Sequence, residues 1–257
     1  MDCHMKFSLN VKADYACFSD PISKVGGERL CYPVPTYDAL KGVVQAVYWK
    51  PTLVCYIDRV RILAPIKMET KGMLYPRYDE GLHGDRAYAT YLKDVNYNID
   101  AHFEWDMTRP DLARDRIPEK HLSMMERAIE RGGRRAPFLG KREAGCYAEV
   151  SRIKDIMEGE GCYDYIPEVN FGTMVHGISY ADKNYEPVTF LNDVKQPAGK
   201  QFVRLWDVVM RNGIIEFPRP NEMKQFFVRD VQLNQKGYSL GKNICSVEEE
   251  AEKFGLD

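Results

Sequence analysis

The sequence contains no apolar run long enough to cross a membrane. A spanning helix needs about 20 consecutive, mostly apolar residues, and no segment of this 257-residue chain approaches that length. Met1 to Phe7 has no apolar stretch behind a basic start, so no secretory signal is predicted. The seven cysteines form no CxxC pair, which argues against a zinc knuckle and a disulfide framework. We therefore expect a cytoplasmic protein without a membrane partner.

Motifs for common cofactors are missing as well. There is no glycine fingerprint for a dinucleotide and no P-loop. Of the five histidines, His4, His83 and His176 have no companion at the spacing of metal ligands. We expect neither a cofactor nor a metal.

The charge is nearly balanced, with 36 basic and 38 acidic residues and a net charge of −2. The protein is therefore not coated in basic residues, although nucleic-acid binding depends on where the charge lies. Between residues 131 and 142 there is no acidic residue, three glycines occur, and five residues are basic: Arg131, Arg134, Arg135, Lys141 and Arg142. This segment is either a solvated loop or a phosphate-binding loop.

The first half of the chain predicts the order β-α-β-β-α. Alternating apolar and polar residues predict strands around residues 7–11 and 95–105, and β-branched residues predict another over 53–66. Helical spacing predicts one helix after the cap Thr36, and another that begins at Pro118 and stops at Gly132 and Gly133. One further strand would complete a ferredoxin-like unit.

Two details of this half are less regular. Residues 12–35 indicate a hairpin or a long loop, and residues 67–90 lack periodicity, which predicts a long loop. The strand over 95–105 is predicted to have one buried and one wet face, which makes His102 a surface residue.

Beyond about residue 150 the pattern changes to short strands, over 171–180, 186–192, 203–210, 214–217 and 226–233. Residues 211–213 predict a hairpin turn, and Ser246 with Glu249 has the spacing of a capping box, so a short terminal helix follows. The sequence thus predicts an α+β protein. Residues 1–150 form a ferredoxin-like domain, and residues 151–257 form a smaller antiparallel β domain.

Three residues could carry chemistry. Lys120 and His121 lie in the first turn of the second predicted helix, where free N–H groups and a partial positive charge favour phosphate, and His121 can move protons near neutral pH. Alternatively, both are merely exposed at a helix start. Tyr48 ends the first helix, and it is either core packing or a reactive hydroxyl.

Several stretches, in order along the chain, resemble the CRISPR-associated Cas-five family, subtype d. They cover residues 12–18, 37–51 (which includes Tyr-Trp-Lys-Pro), 58–60, 94–103, 120–122 and 139–143, with looser matches at 177–180 and 212–213. The chain departs from the family at Lys141, where the family often has Cys, and at Ala144, where it often has an aromatic residue.

The resemblance implies a type I-C endoribonuclease that cuts the CRISPR repeat at the base of its hairpin without a metal. It implies Tyr48, Lys120 and His121 as the catalytic group. The 2′-hydroxyl attacks the adjacent phosphorus and leaves a cyclic phosphate and a 5′-hydroxyl. We assign proton transfer to His121, stabilisation of the phosphorane charge to Lys120, and positioning or activation of the 2′-hydroxyl to Tyr48.

The resemblance also implies that the protein keeps the 5′ handle of the crRNA and joins the backbone and large subunits of the Cascade complex. It allows contact with target DNA there. The five basic residues of the loop would contact phosphate. Tyr15, Phe18 and Phe138 are either stacking platforms for bases or buried packing residues.

Three rival interpretations stay open. The nearest is a non-catalytic subunit that holds the 5′ handle while another protein cuts. The second is a ferredoxin-like enzyme for small molecules, and the third is a purely structural module that docks a protein through its basic loop.

Overall fold

Two antiparallel sheets and three α-helices organise the part of the chain that the structure describes. The computed structural model describes residues 5–21, 23, 29–76, 84–142, 146–180, 200–230 and 245–253. The strands are β1 (Met5–Ala16), β2 (Leu53–Ile62), β3 (Met68–Pro76), β4 (Gly84–Trp105), β5 (Glu149–Ile153), β6 (Val169–Ser179), β7 (Lys200–Met210), β8 (Ile214–Glu216) and β9 (Gln225–Asp230). The helices are α1 (Tyr37–Val47), α2 (Pro118–Glu130) and α3 (Val247–Lys253). His4, His83, Ala144 and the strand predicted over 186–192 lie outside the described residues.

The larger sheet has the strand order β5-β1-β4-β2-β8, and β3 pairs with β4 beside it. The central strands β1 and β4 are antiparallel, with Leu9 opposite Ile99 and Phe7 opposite Ala101. The four strands β5-β1-β4-β2, with α1 after the first and α2 before the last, form the ferredoxin-like arrangement. The predicted α+β class is confirmed, and the core lies between the apolar face of this sheet and α1 and α2.

The helices begin and end where the sequence predicts. The Thr36 hydroxyl accepts the N–H of Ala39 at 3.3 Å at the start of α1. Pro118 opens α2, and Gly132 follows its end with φ of 82°. Ser246 and Glu249 exchange the two hydrogen bonds of a capping box at the start of α3. Among the described residues, no helix is long and apolar enough to span a membrane.

The prediction that His102 is a surface residue is wrong. Its side chain is only 4% exposed, stacks on Tyr56 at 4.9 Å between ring centroids, and contacts the Asp58 carboxylate at 2.8 Å. Asn98 on the same face is also buried, because its amide donates to the carbonyls of Ile156 and Glu158. The segment that follows β5 therefore covers the face predicted to be wet.

The long loop predicted over 67–90 is wrong too, since β3 and the first half of β4 pair there as a two-stranded ribbon. Leu74 and Tyr88 on this ribbon are exposed. Ala89, Tyr91 and Leu92 at its base join the core, whereas Leu74 and Tyr88 do not, so burial imposes alternation on only part of its sequence.

The second sheet has the order β6-β7-β9. The predicted turn joins β7 to β8: Arg211 and Ile214 exchange both backbone hydrogen bonds around Asn212 and Gly213, which have positive φ. The strands then diverge, because β8 pairs with β2 of the larger sheet. β5 begins at Glu149 and pairs with β1, so a boundary at residue 150 would fall inside a strand of the larger sheet. The division of the chain into two domains stays a prediction.

Candidate active site

Tyr48 and His121 form a hydrogen-bonded pair beneath the start of α2. The Tyr48 hydroxyl lies 2.8 Å from His121 Nδ1, and His121 Nε2 lies 2.6 Å from the carbonyl oxygen of Asp115. A carbonyl oxygen only accepts hydrogen bonds, so Nε2 carries the imidazole proton and Nδ1 presents its lone pair. The Tyr48 hydroxyl therefore donates to His121, and the sequence-predicted residues Tyr48 and His121 are brought together.

Both members of this pair are buried, His121 completely and Tyr48 to all but 4%. Burial lowers the pKa of His121 below its usual value; the carbonyl and charge of Asp115 oppose this shift, and the nearby Lys50 ammonium adds to it. Burial raises the pKa of the Tyr48 phenol well above its usual value, and the charges of Glu250 and Asp115 add to that shift. At neutral pH both groups are uncharged.

Asp115 holds the imidazole from the opposite side. It ends a 3₁₀ turn, Pro110–Asp115, just before α2. Its carboxylate accepts from the Thr52 hydroxyl at 2.9 Å and from the Val247 N–H at 2.5 Å, and lies 4.0 Å from His121 Nε2. It can therefore stabilise a positive charge on His121. No motif in the sequence points to Asp115, because its role depends on where the turn places it.

Lys120 is not part of this pair. Its side chain is 45% exposed and its ammonium lies 3.0 Å from the Glu248 carboxylate on α3. A second cation, Lys50, lines the same cleft as Tyr48 and was missed by the sequence-based assignment. It is buried, forms an ion pair with Glu250 of α3, and donates to the Cys245 carbonyl at 3.2 Å.

A cleft of about 480 Å³ opens beside the pair. Its wall combines apolar and basic side chains, among them Tyr48, Trp49, Lys50, Arg127, Arg131 and Arg134. The Arg134 guanidinium lies over the Trp49 ring, 5.5 Å from its centroid. Two of the predicted phosphate contacts, Arg131 and Arg134, thus border the same cleft as Tyr48. We call this the tyrosine cleft.

Backbone hydrogen bonds fix the arginines in place. The N–H of Arg134 donates to the Val47 carbonyl and the N–H of Arg135 to the Ala46 carbonyl, both at 3.0 Å. Gly133 makes this possible: its φ is 94°, and a Cβ there would lie 2.9 Å from the Arg135 oxygen. The basic loop is therefore attached to the end of α1 that carries Tyr48.

Arg135 and Lys141 line a second cleft, of about 620 Å³, together with Phe18 and Phe138. We call it the loop cleft. Gly140 forms part of its wall and approaches the end of β1 so closely that a Cβ would lie 2.0 Å from the Cys17 oxygen. Phe138 is partly exposed, whereas Phe18 is 2% exposed, which favours the packing alternative for Phe18.

The remaining predicted contacts lie elsewhere. Tyr15 is half-buried; its hydroxyl donates to Glu69 at 3.2 Å and the Lys71 ammonium lies 3.1 Å from its ring centroid. This places Tyr15 against the β3–β4 ribbon and outside both clefts. Arg142 is exposed on the loop, also outside their walls. Within the described part of the chain, no three His, Cys, Asp or Glu side chains cluster as metal ligands would.

Comparison with known proteins identifies relatives of most of the chain. The family model described as CRISPR-associated protein Cas_Cas5d (Cas_Cas5) matches residues 8–218. The chain is 34% identical over 151 residues to a protein of Thermus thermophilus named CRISPR pre-crRNA endoribonuclease Cas5d, a match that covers 55% of this chain and 62% of that protein. It is 28% identical over 201 residues to the Mannheimia succiniciproducens protein of the same name, covering 70% and 87%.

Two solved structures share the fold. A functionally uncharacterized protein from Streptococcus mutans superimposes with a TM-score of 0.63 at 31% identity, over 85% of this chain and 95% of that one. A structure described as a CRISPR-associated protein gives a TM-score of 0.62 at 32% identity, over 85% and 94%.

Proposed function

Since the chain belongs to the CRISPR-associated Cas5d family, we propose that it is an endoribonuclease that cuts CRISPR repeat RNA at the base of the repeat hairpin. Relatives from two organisms carry the name of a CRISPR pre-crRNA endoribonuclease. The observation that supports this function most strongly is the neutral Tyr48–His121 pair, which borders a cleft lined by arginines.

The proposed reaction needs no metal, because the pair can move the proton itself. The 2′-hydroxyl attacks the adjacent phosphorus, and its proton passes to the Tyr48 oxygen while the Tyr48 proton passes to His121 Nδ1. The bond from phosphorus to O2′ forms and the bond to O5′ breaks. The proton returns through Tyr48 to O5′, which leaves a 2′,3′-cyclic phosphate and a 5′-hydroxyl.

This path revises the roles of the residues predicted from sequence. His121 is completely buried and both ring nitrogens have partners inside the protein. It therefore acts through Tyr48, whose hydroxyl is the group that meets the RNA. The imidazolium that forms during the attack is stabilised by the Asp115 carboxylate and carbonyl.

We assign the stabilisation of the negative phosphorane charge to the cations around the pair. Arg131 and Arg134 hold the flanking phosphates in the tyrosine cleft. Lys120 immediately precedes His121 in the sequence and supplies charge once RNA displaces its partner Glu248. The stacked Trp49 and Arg134 present a platform for a base beside the scissile bond.

After cleavage we propose that the protein retains the 5′ handle and joins the backbone and large subunits of a type I-C Cascade complex, where it can also meet target DNA. The loop cleft suits single-stranded RNA, because Arg135 and Lys141 lie beside the partly exposed ring of Phe138. The rival function, a scaffold that holds the handle without cutting, uses the same surfaces.

The test is cleavage of the neighbouring CRISPR repeat RNA by the purified protein in EDTA. We expect one cut at the hairpin base, a cyclic phosphate and 5′-hydroxyl at the ends, and no cut when the scissile nucleotide is 2′-deoxy. His121→Ala should lose cleavage. A matched control is His102→Ala, which removes another buried, hydrogen-bonded histidine. Tight binding without cleavage by the wild type would favour the scaffold, and no binding would contradict both functions.

A further inference from the structure

The C-terminal helix α3 lies across the candidate active site. Val247, its first residue, is completely buried and donates its N–H to the Asp115 carboxylate. Cys245 and Glu250 form part of the wall of the tyrosine cleft. The helix therefore covers surface that an RNA strand would have to contact in order to reach Tyr48.

Two carboxylates of this helix are paired with lysines close in sequence to Tyr48 and His121. Glu250 forms an ion pair with Lys50, whose side chain is 10% exposed. Glu248 lies 3.0 Å from the ammonium of Lys120. Both pairs join a carboxylate near the C-terminus to a cation more than 120 residues earlier, on the elements that carry Tyr48 and His121.

We propose that Lys50 is a further phosphate contact of this site, and that in the free protein Glu250 and Glu248 occupy the positions that RNA phosphates take on Lys50 and Lys120. The inference rests on the proposed function. A carboxylate and a phosphate are equivalent partners for an ammonium, since both are anions whose oxygens accept its N–H bonds. Binding of RNA then requires α3 to move away.

The location of Lys50 carries the assignment. It stands two residues after Tyr48, and its ammonium is close enough to His121 to lower the pKa of the imidazole. It also shares the wall of the tyrosine cleft with Arg131 and Arg134. A phosphate held between these cations would lie in the cleft that Tyr48 also lines, where the phosphorane charge is proposed to develop.

The attachment of α3 is of a strength that RNA can overcome. The helix has seven residues, too few for a stable helix on its own. The Lys120–Glu248 pair is largely exposed, and such pairs contribute little to stability. One RNA strand replaces two carboxylates with several phosphates at once. Because Val247 also supports Asp115, the helix should be tested by neutralising its charges and not by deleting it.

The experiment compares Glu250→Gln and Glu248→Gln with the matched control Glu252→Gln. Glu252 lies on the same helix, is exposed, and forms no ion pair with the residues that the structure describes. Binding is measured by fluorescence anisotropy on the repeat RNA with a 2′-deoxy scissile nucleotide, and cleavage by single-turnover kinetics. We expect Glu250→Gln to tighten binding by about two- to tenfold beyond the control and Glu248→Gln by less, because the second pair is more exposed.

A second variant tests Lys50 itself. In the Glu250→Gln background, Lys50→Met should abolish the gain and reduce the slope of log affinity against log salt by about 0.7 to 1, the loss of one phosphate contact. Lys50→Arg should preserve the slope. If Lys50 only holds α3 in place, its replacement by Met should lower the melting temperature and leave the salt slope unchanged.

Two results would overturn the proposal: equal affinities for Glu250→Gln and Glu252→Gln, or an unchanged salt slope in Lys50→Met. They are distinct from a failure of the proposed function, in which the wild type itself neither binds nor cuts the repeat. A protein that binds without cutting can still be tested, because the anisotropy measurements need no cleavage.

Discussion

Replacement of Tyr48 by Phe separates the chemistry of the hydroxyl from the packing of the ring. The ring packs edge-on against Phe103 at 6.2 Å between centroids, and Phe preserves that contact. Only the oxygen is lost, and with it the hydrogen bond to His121 Nδ1. Any loss of activity can then be assigned to one O–H group.

The cost to stability follows from the burial of His121. Its Nδ1 would stay completely buried without a donor, and an unsatisfied buried polar group costs about 1–3 kcal/mol. In a chain of this size each kcal/mol lowers the melting temperature by about 2–4 °C. We therefore expect Tyr48→Phe to fold and to melt roughly 2–12 °C lower. If Tyr48 is the group that relays the proton, the single-turnover rate should fall by about 10²–10⁴.

The comparison with His121→Ala tests the order of the relay. Both variants interrupt one path, so the double variant should be no slower than the slower single variant. RNA affinity should change little in either, because neither residue is assigned to phosphate. Cleavage by Tyr48→Phe within about fivefold of the wild type, with His121→Ala inactive, would refute the reasoning, since His121 would then act without the phenol.

Four further predictions concern the same molecule. Because His121 must be neutral to accept a proton and burial lowers its pKa, the cleavage rate should rise with pH only below about 6.5 and stay level from pH 7 to 9; a fall before pH 9 in single-turnover rates would contradict this. Cleavage should persist in EDTA, because the pair supplies the proton transfer; restoration by added Mg²⁺ after a loss in EDTA would count against it. Arg135→Ala and Lys141→Ala should each weaken binding of a single-stranded handle and lower its salt slope, whereas Arg142→Ala, outside the clefts, should do so less. Burial and then the charge of Arg204 lower the pKa of His176 to about 3, so its contribution to stability is complete above pH 6.5 and is lost as pH falls towards 3; urea unfolding at pH 4 and 7 should show an acid loss that is smaller in His176→Gln.

The sequence predicts the ferredoxin-like half well because its signals are redundant. The cap at Thr36, the proline at the start of α2 and the alternation of β4 each follow from a local rule, and the core enforces all of them. The β3–β4 ribbon was missed because apolar side chains on it such as Leu74 and Tyr88 are exposed, whereas residues near its base, among them Ala89 and Tyr91, join the core. Where burial does not select the side chains of a strand, its sequence shows no alternation of apolar and polar residues.

His102 was misplaced for a different reason. Alternation correctly assigns it to the polar face of β4, but a polar face is wet only when nothing covers it. Here Asp58 and Tyr56 on β2 enclose the imidazole. A sequence shows which residues share a face of a strand, and only the fold shows which polar partners that face meets.

The same limit applies to the candidate site. Tyr48 and His121 were chosen from the resemblance and lie together in the structure, whereas Lys120 points to α3. Asp115 and Lys50 were missed, since each is one charged residue in a chain with many. Their importance arises from burial beside the pair, and burial of a single charged residue is not encoded by periodicity.

The complete burial of His121 constrains the mechanism that we propose for the site. A histidine at a helix start was expected to meet RNA directly, yet its ring is enclosed by Tyr48, Asp115 and Trp105. In the proposed reaction the proton reaches the buried imidazole along its hydrogen bond from Tyr48, a residue that also lines the tyrosine cleft. The phenol in turn is too weak an acid to ionise, because burial raises its pKa. In the proposed mechanism neither group acts alone at neutral pH, so we expect a concerted relay, and α3 across the cleft would control access to both groups.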